Sequence, residues 1–428
     1  MSVFFATCVV ALIIISSVII LTSVSEPVDA YAKSNITISP EGNNTVVVYE
    51  NSVIYNGSDP NKAIQQAIYE VSSSNNSGVD GLKEIMINDG YYRFNDPIIL
   101  PPDTLFNGTG RNSIFDFSKL TDTNTFVLKN NSKLSNIKII GATTPKLENV
   151  GQRIQTSNDT VIENVILTTL GFGIDVQRSE NVTINNIVCD FIYGSSDWSA
   201  CVQVGRGSNN VVLSNFHIAN SARGIVVSEG ARNIHIHDGL IRSIHNFAGT
   251  GNEPFSIDVH NRDSNLRSGD VSFENITLID SYSPTVKVTN SSLIQDNLPD
   301  KIRFLNIKVE NPISPWQIGG VDILIKNSSV LGSNYNIINL YSNSKNTTID
   351  GLNVDELHDD KYFISNNPEQ SKNISDIKVI NSKISVSPDK ESSIVSLVGI
   401  NGFEFNNNTI MNPPDTPFSL SNVTGPNN

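Results

Sequence analysis

The sequence predicts an all-β fold, a solenoid of stacked parallel strands wound into a β-helix and closed at its N-terminal end by one helix. Three observations predict it. The first is composition: 55 of the 428 residues are Asn, and Asn tolerates the left-handed conformation that recurrent tight turns demand. The second is a repeat of short apolar/polar alternations, each broken by an Asn. The third is a lone amphipathic helical stretch followed at once by alternating segments.

The repeat carries most of the chain. It reads Asn136-Ile137-Lys138-Ile139, then Asn164-Val165-Ile166-Leu167, Asn186-Ile187-Val188-Cys189, Asn215-Phe216-His217-Ile218, Asn275-Ile276-Thr277-Leu278 and Asn306-Ile307-Lys308-Val309. Asp238 holds the Asn place in one copy, and weaker copies follow around Asn327, Leu352, Asn381 and Asn408. Period-2 alternation marks strands rather than helices. A single short strand cannot bury its apolar face, so the copies must stack. Stacked coils lie about 4.8 Å apart. One Asn per coil at one corner then forms a hydrogen-bonded ladder along the axis.

The ends differ from the middle. Val3 to Val24 is apolar and uncharged, long enough to span a bilayer. Ala30-Tyr31-Ala32 follows as a cleavage-like site, although no Lys or Arg precedes the run. Residues 1–32 therefore read as a signal peptide or an N-terminal membrane anchor. Either reading puts the bulk outside the cytoplasm, secreted or anchored on the outer cell surface, with membrane contact only through residues 3–24 if they stay uncleaved. Residues 33–58 read as an N-terminal extension. The helix starts at Asp59-Pro60, an N-cap and first-turn pair, and carries Ala63, Ile64, Ala67, Ile68 and Val71 on one face. The β-helix spans 59–411, and the Pro- and Asn-rich tail 412–428 is expected to fray. Fifteen N-x-S/T sequons, among them Asn107, Asn181, Asn275, Asn327 and Asn407, are acceptor sites in an exported chain. Several coincide with repeat turns, where Asn already has a structural task.

Charge narrows the partners. A net charge of −14 excludes general nucleic-acid binding, which needs surplus Lys and Arg. Three cysteines are too few for a disulfide scaffold. Cys8 lies in the N-terminal run, and the alternation points Cys189 inward and Cys201 outward, so two free thiols are expected.

After the helix come Lys83-Glu84-Ile85-Met86-Ile87-Asn88-Asp89-Gly90-Tyr91-Tyr92-Arg93, the Pro-flanked Pro97-Ile98-Ile99-Leu100-Pro101 and Asn107-Gly108-Thr109-Gly110. This succession resembles the opening coils of the pectate-lyase-like (pectin lyase fold) superfamily of right-handed β-helix proteins. The similarity covers roughly Asn56 to Met411. It implies a right-handed helix and a place among polysaccharide lyases, glycoside hydrolases, uronan epimerases and non-catalytic surface proteins. The polygalacturonase signature Asn-Thr-Asp with its later motifs is missing, as is the Asp-Pro-His of mannuronan epimerases, so no catalytic residue carries over.

The candidate site comes from register. Five strands align: Gly173 to Arg178, Cys201 to Arg206, Gly224 to Glu229, Ser256 to Asn261 and Thr285 to Asn290. With Ile and Val inward, one outward column reads Asp175, Gln203, Val226, Asp258, Lys287. The next reads Gln177, Gly205, Ser228, His260, Thr289. The following place holds Arg178, Arg206 and Glu229. This predicts a polar groove for a polysaccharide. Seven of the eleven arginines fall between Arg178 and Arg267. Arginine forks grip carboxylates, which favours an acidic glycan with Arg206 and Arg262 as contacts. Pairing with local acids such as Asp175, Glu229 and Asp263 is the plainer reading. The loops before these strands supply Trp198, either a stacking platform for sugars or a loop anchor.

Asp175 and Asp258 stand three rungs apart, about 14 Å, too far for a glycosidase pair at roughly 5–9.5 Å. A lyase or epimerase needs instead a base and a cation. His260 or Lys287 is the candidate base beside Asp258, although Asp258 and Lys287 also fit a plain ion pair. No metal set is expected: His235 and His237 share a face without an obvious third ligand. An acidic substrate leaves room for Ca²⁺. The chain is read as a monomer.

Overall fold

The computed structural model describes residues 36–73, 81–120, 123–142, 152–193, 199–245, 254–261, 266–281, 284–290, 297–333, 335–358, 360–367 and 373–425. The segment read as signal or anchor lies outside them. No helix among the described residues is long and apolar enough to cross a membrane.

The strands wind a right-handed parallel β-helix. One side is a 13-stranded sheet running from Ile98–Leu100 to Phe418–Ser421. The remaining sides form a 23-stranded sheet whose longer strands bend in mid-course. The bends fall at residues with positive φ. In the strand Glu180–Asp190 the bend is Asn186, at φ 51°.

Three long columns of left-handed corners, spaced five residues apart, run along the axis, where the sequence suggested one; a shorter set, Arg178, Arg206 and Glu229, precedes the first of them. The middle column is the expected one, with Asn136, Asn164, Asn186, Asn215, Asp238, Asn275 and Asn306. Five residues earlier stand Asn131, Asp159, Asn181, Asn210, Asn233, Asp270 and Lys301. Five residues after most of the middle set stand Thr169, Phe191, Asn220, Ser243, Asp280 and Asn311. Each coil thus has two sides of fixed length between left-handed corners. Side-chain amides tie the corners of neighbouring coils. Asn164 Nδ2 donates to Asn136 Oδ1 at 2.9 Å, Asn186 Nδ2 to Asn164 Oδ1 at 2.7 Å and Asn306 Nδ2 to Asn275 Oδ1 at 3.0 Å. The outer columns repeat the pattern, with Asn181 on Asp159 at 2.8 Å and Asn311 on Asp280 at 3.1 Å.

The N-terminal end is capped by more than the helix. Residues of the extension form three antiparallel strands, Ile36–Glu41, Asn44–Tyr49 and Ser52–Gly57, and the first also pairs in parallel with Lys83–Ile87. The helix Pro60–Ser73 buries Ala63, Ile64, Ala67 and Val71 against them. Asp59 Oδ1 accepts from the Asn61 backbone N–H at 3.0 Å, satisfying one free donor of the first turn. At the other end the chain beyond Asn412 does not simply fray. Phe418–Ser421 pairs in parallel with Val395–Val398 and extends the smaller sheet by one rung.

The cysteine expectation is overturned. Cys189 and Cys201 form a disulfide with Cα atoms 6.0 Å apart, and both are fully buried. Cys201 directly precedes the strand Val202–Gly205, outside the stretch that alternation governs. Its side chain is therefore free to turn in and meet Cys189.

Candidate functional site

The 13-stranded sheet presents the candidate site on its outer face, in the register read from sequence. Asp175 pairs with Gln203, Gln203 with Val226, Val226 with Asp258 and Asp258 with Lys287. In the next column Gln177 pairs with Gly205, Ser228 with His260 and His260 with Thr289. The column extends N-terminally to Gln155, the rung before Asp175, and C-terminally to Gln317 and Asn339.

Inside this register lies a hydrogen-bonded pair. Two residues apart on Ile257–Asn261, Asp258 and His260 project to the same side. His260 Nδ1 stands 2.9 Å from Asp258 Oδ2. Both are buried, at 3% and 4% exposure. Burial pushes the Asp258 carboxyl upward. The charge of His260 and its hydrogen bond outweigh this, helped by Arg223 and Lys287, and the group ends below the ordinary carboxylate range. In the neutral imidazole, an Nδ1–H directed at the carboxylate leaves the lone pair on the other ring nitrogen. That Nε2 is buried and has no hydrogen-bond partner among the described residues, and the same holds for Asp258 Oδ1 and for Ser228 Oγ on the adjacent rung.

Cations flank the pair, Arg223 from the preceding coil and Lys287 from the following one. The Lys287 ammonium stands over the Phe255 ring, 4.5 Å from its centroid, and the Arg223 guanidinium stands 5.3 Å from the same centroid. Phe255 and Arg223 are themselves buried. The expected open groove floor is therefore covered here: Gln203, Val226 and Asp258 face outward but are buried. Sequence reasoning counted Arg223 in the Arg-rich stretch without placing it beside the pair, and did not single out Phe255. The signal was available one residue to the left of the aligned strands, where Arg223 and Phe255 occupy the same place on neighbouring rungs.

The second carboxylate, Asp175, sits three rungs away with a different set of neighbours. Burial raises it above the ordinary carboxylate range, opposed by Arg153, by a hydrogen bond from Gln177 and by Arg206. Arg153 Nη1 lies 3.2 Å from Asp175 Oδ2, and Arg153 Nε donates to Asn124 Oδ1 at 3.0 Å. Arg153 was not among the arginines singled out from sequence, because its strand, Ile154–Gln155, is too short to show alternation. Arg178, Arg206 and Glu229 are corner residues with φ near 50°. Arg206 Nε pairs with Glu229 Oε2 of the next coil at 3.4 Å, which is the plainer of the two readings for that arginine. Trp198 and Arg262 lie outside the described residues.

Three further histidines belong to the other sheet. His217, on Asn209–Ala219, is lowered chiefly by burial and secondarily by Arg242, with Asp190 opposing. His235 and His237 lie on Arg232–Ile244. No three His, Cys, Asp or Glu side chains among the described residues already converge on one point as around a bound ion.

No protein-family model and no curated protein sequence matches the chain. Solved structures do. The catalytic domain of a family GH87 α-1,3-glucanase in complex with nigerose is similar, with a TM-score of 0.55 and 13% identity over 85% of this chain and 66% of that one. The chain thus spans just under two thirds of that domain. The catalytic unit of the thermostable GH87 α-1,3-glucanase from Streptomyces thermodiastaticus gives a TM-score of 0.57 at 11% identity, covering 94% and 70%. The Streptococcus pneumoniae surface protein and adhesin PfbA gives 0.53 at 13%, covering 86% and 96%. At these identities the likeness is one of fold.

Proposed function

We propose that this chain is an exported or surface-held member of the pectate-lyase-like superfamily that acts on a uronic-acid-containing polysaccharide as a lyase or epimerase. The observation that carries the reading is the Asp258–His260 pair. The carboxylate holds the imidazole by Nδ1, and Nε2 is left to take the proton beside the sugar carboxylate. Lys287 and Arg223, from the coils on either side, supply the positive charge that would stabilise the enolate. Hydrolysis by Asp175 with Asp258 is disfavoured, since three rungs separate them by about 14 Å. Gln177, Gln203, Arg153, Arg178 and Arg206 line the approach, with Trp198 and Arg262 as further substrate contacts. Ca²⁺ would add a second positive charge at an acidic sugar. The disulfide supports export, because such bonds persist in oxidising compartments.

A second reading is favoured by the burial of the pair. A general base must meet its substrate, and His260 Nε2 is covered. A non-catalytic glycan-binding or adhesive protein needs no such access and would use the exposed arginines. The experiment is a screen of purified protein against uronans, with and without Ca²⁺, following the ultraviolet absorbance of unsaturated products and, by proton exchange at the sugar ring, epimerisation. Turnover that falls at least 100-fold in His260→Ala supports the first reading. Retained binding with no turnover on any uronan selects the second.

A further inference from the structure

We infer that His235, His237 and Glu274 form a binding site for a divalent transition-metal ion of the Zn²⁺ class, on the outer face of the larger sheet and apart from the Asp258–His260 pair. His235 and His237 are two apart on Arg232–Ile244, with Ile234 and Ile236 turned into the core between and before them. Their imidazoles therefore share one outward face, and the ring centroids are 4.5 Å apart. Rings that bind one tetrahedral ion through nitrogens at about 2.0–2.1 Å have centroids about 5 Å apart, so the observed spacing is close to what an ion needs.

The third donor comes from the next coil. Glu274, on Gly269–Ser281, is the cross-strand partner of His237. Its Oε2 lies 3.6 Å from His235 Nε2. Two donors of a tetrahedral ion stand about 3.4 Å from each other, so this nitrogen and this oxygen already occupy neighbouring corners. His237 Nδ1 is 2.7 Å from Asp238 Oδ2, which leaves Nε2 for the ion. A carboxylate behind a ligating imidazole is the usual outer partner at metal sites. Asp238 is held in turn by Asn275, whose Nδ2 donates to Oδ1 at 3.1 Å. Both imidazoles stay partly exposed, so an ion reaches them from solvent. The three donors do not converge as they stand, so binding brings Glu274 and His235 toward His237 Nε2 while Asp238 keeps hold of Nδ1. Two imidazoles and one carboxylate suit Zn²⁺, Co²⁺, Ni²⁺ or Cu²⁺ over Ca²⁺ or Mg²⁺, which prefer oxygen.

The ion would clip two successive coils. In the chain, the strand bearing Asp258 and His260 lies between them. Occupancy therefore closes the coil that carries the pair, without touching it.

The test uses the full chain freed of metal by chelator. Titration with ZnCl₂ by calorimetry, and with CoCl₂ by visible absorption, should give one saturable equivalent and a rise in melting temperature. His237→Ala and Glu274→Gln should each weaken Zn²⁺ binding at least 10-fold, and Asp238→Asn about 10-fold. All three variants should match the metal-free wild type in melting temperature. His260→Ala should bind Zn²⁺ as wild type does. Absence of saturable binding, or affinity unchanged in both His235→Ala and His237→Ala, overturns the site.

Discussion

Asp258 Oδ2 and His260 Nδ1 meet at 2.9 Å under a cover that leaves each residue less than a twentieth exposed. A carboxylate in that position depends on its partner, because removing one member strands the other charge in a dry place. His260→Ala should lower unfolding free energy by about 3 kcal/mol. Asp258→Asn in the same background should restore part of it, giving a coupling of about 1–3 kcal/mol between the two positions. Urea unfolding of the two single variants and the double variant measures this. Strict additivity would mean that the pair does not interact.

The register that brings Asp258 and His260 together was legible in the sequence, because Ile257 and Val259 alternate with them and the neighbouring strands alternate in step. What covers them was not. Alternation tells which way a side chain points but not what lies over it, and Arg223 and Phe255 precede the strands whose pattern was being read. The corners divide in the same way. The middle column announces itself as Asn. The last column holds Thr169, Phe191 and Ser243 beside Asn220, so no residue type marks it, and only the five-residue spacing from the middle column would have found it. Cys201 shows the complementary error: the alternation was extended one residue past the strand.

The corner geometry makes its own prediction. Asn164 has φ 54°, donates to Asn136 and accepts from Asn186. Asn164→Ala loses both hydrogen bonds at about 1 kcal/mol each and forces a Cβ-bearing residue into the left-handed region at about 1 kcal/mol more. Asn164→Gly loses the bonds but not the conformation. The Ala variant should be less stable than the Gly variant by about 1 kcal/mol in chemical denaturation. Equal losses in the two variants would show that the left-handed backbone adds nothing to the loss of the amide ladder.

Reduction should act mainly on the coil between its two sulfurs. Cys189 and Cys201 are separated by 12 residues, for which loop-closure entropy corresponds to about 3 kcal/mol. Cys189→Ser with Cys201→Ser should lose stability by that order. It should also speed proteolysis between the two positions before any cut appears near the N-terminal cap. Simultaneous cleavage at both places in a time course would show that the bond stabilises the whole solenoid.

Acid should find a different carboxylate first. Asp116 is pushed up by burial, but the Ser118 backbone N–H, the Tyr91 hydroxyl and the Arg93 guanidinium all bind it, and its pKa falls to about 2. A folded pKa below the unfolded value of about 3.9 means stability present above pH 4 and lost as pH falls through 2. The span corresponds to about 2 kcal/mol. Asp258, also lowered, has the same sign. Asp175 has the opposite sign: its raised pKa makes its charged form costly at neutral pH, and that cost disappears as acid protonates it. Urea midpoints measured from pH 5 to pH 2 should therefore fall less steeply in Asp116→Asn than in the wild type, and more steeply in Asp175→Asn. Parallel curves for wild type and Asp116→Asn would mean that the Tyr91, Arg93 and Ser118 contacts do not hold the charge in solution.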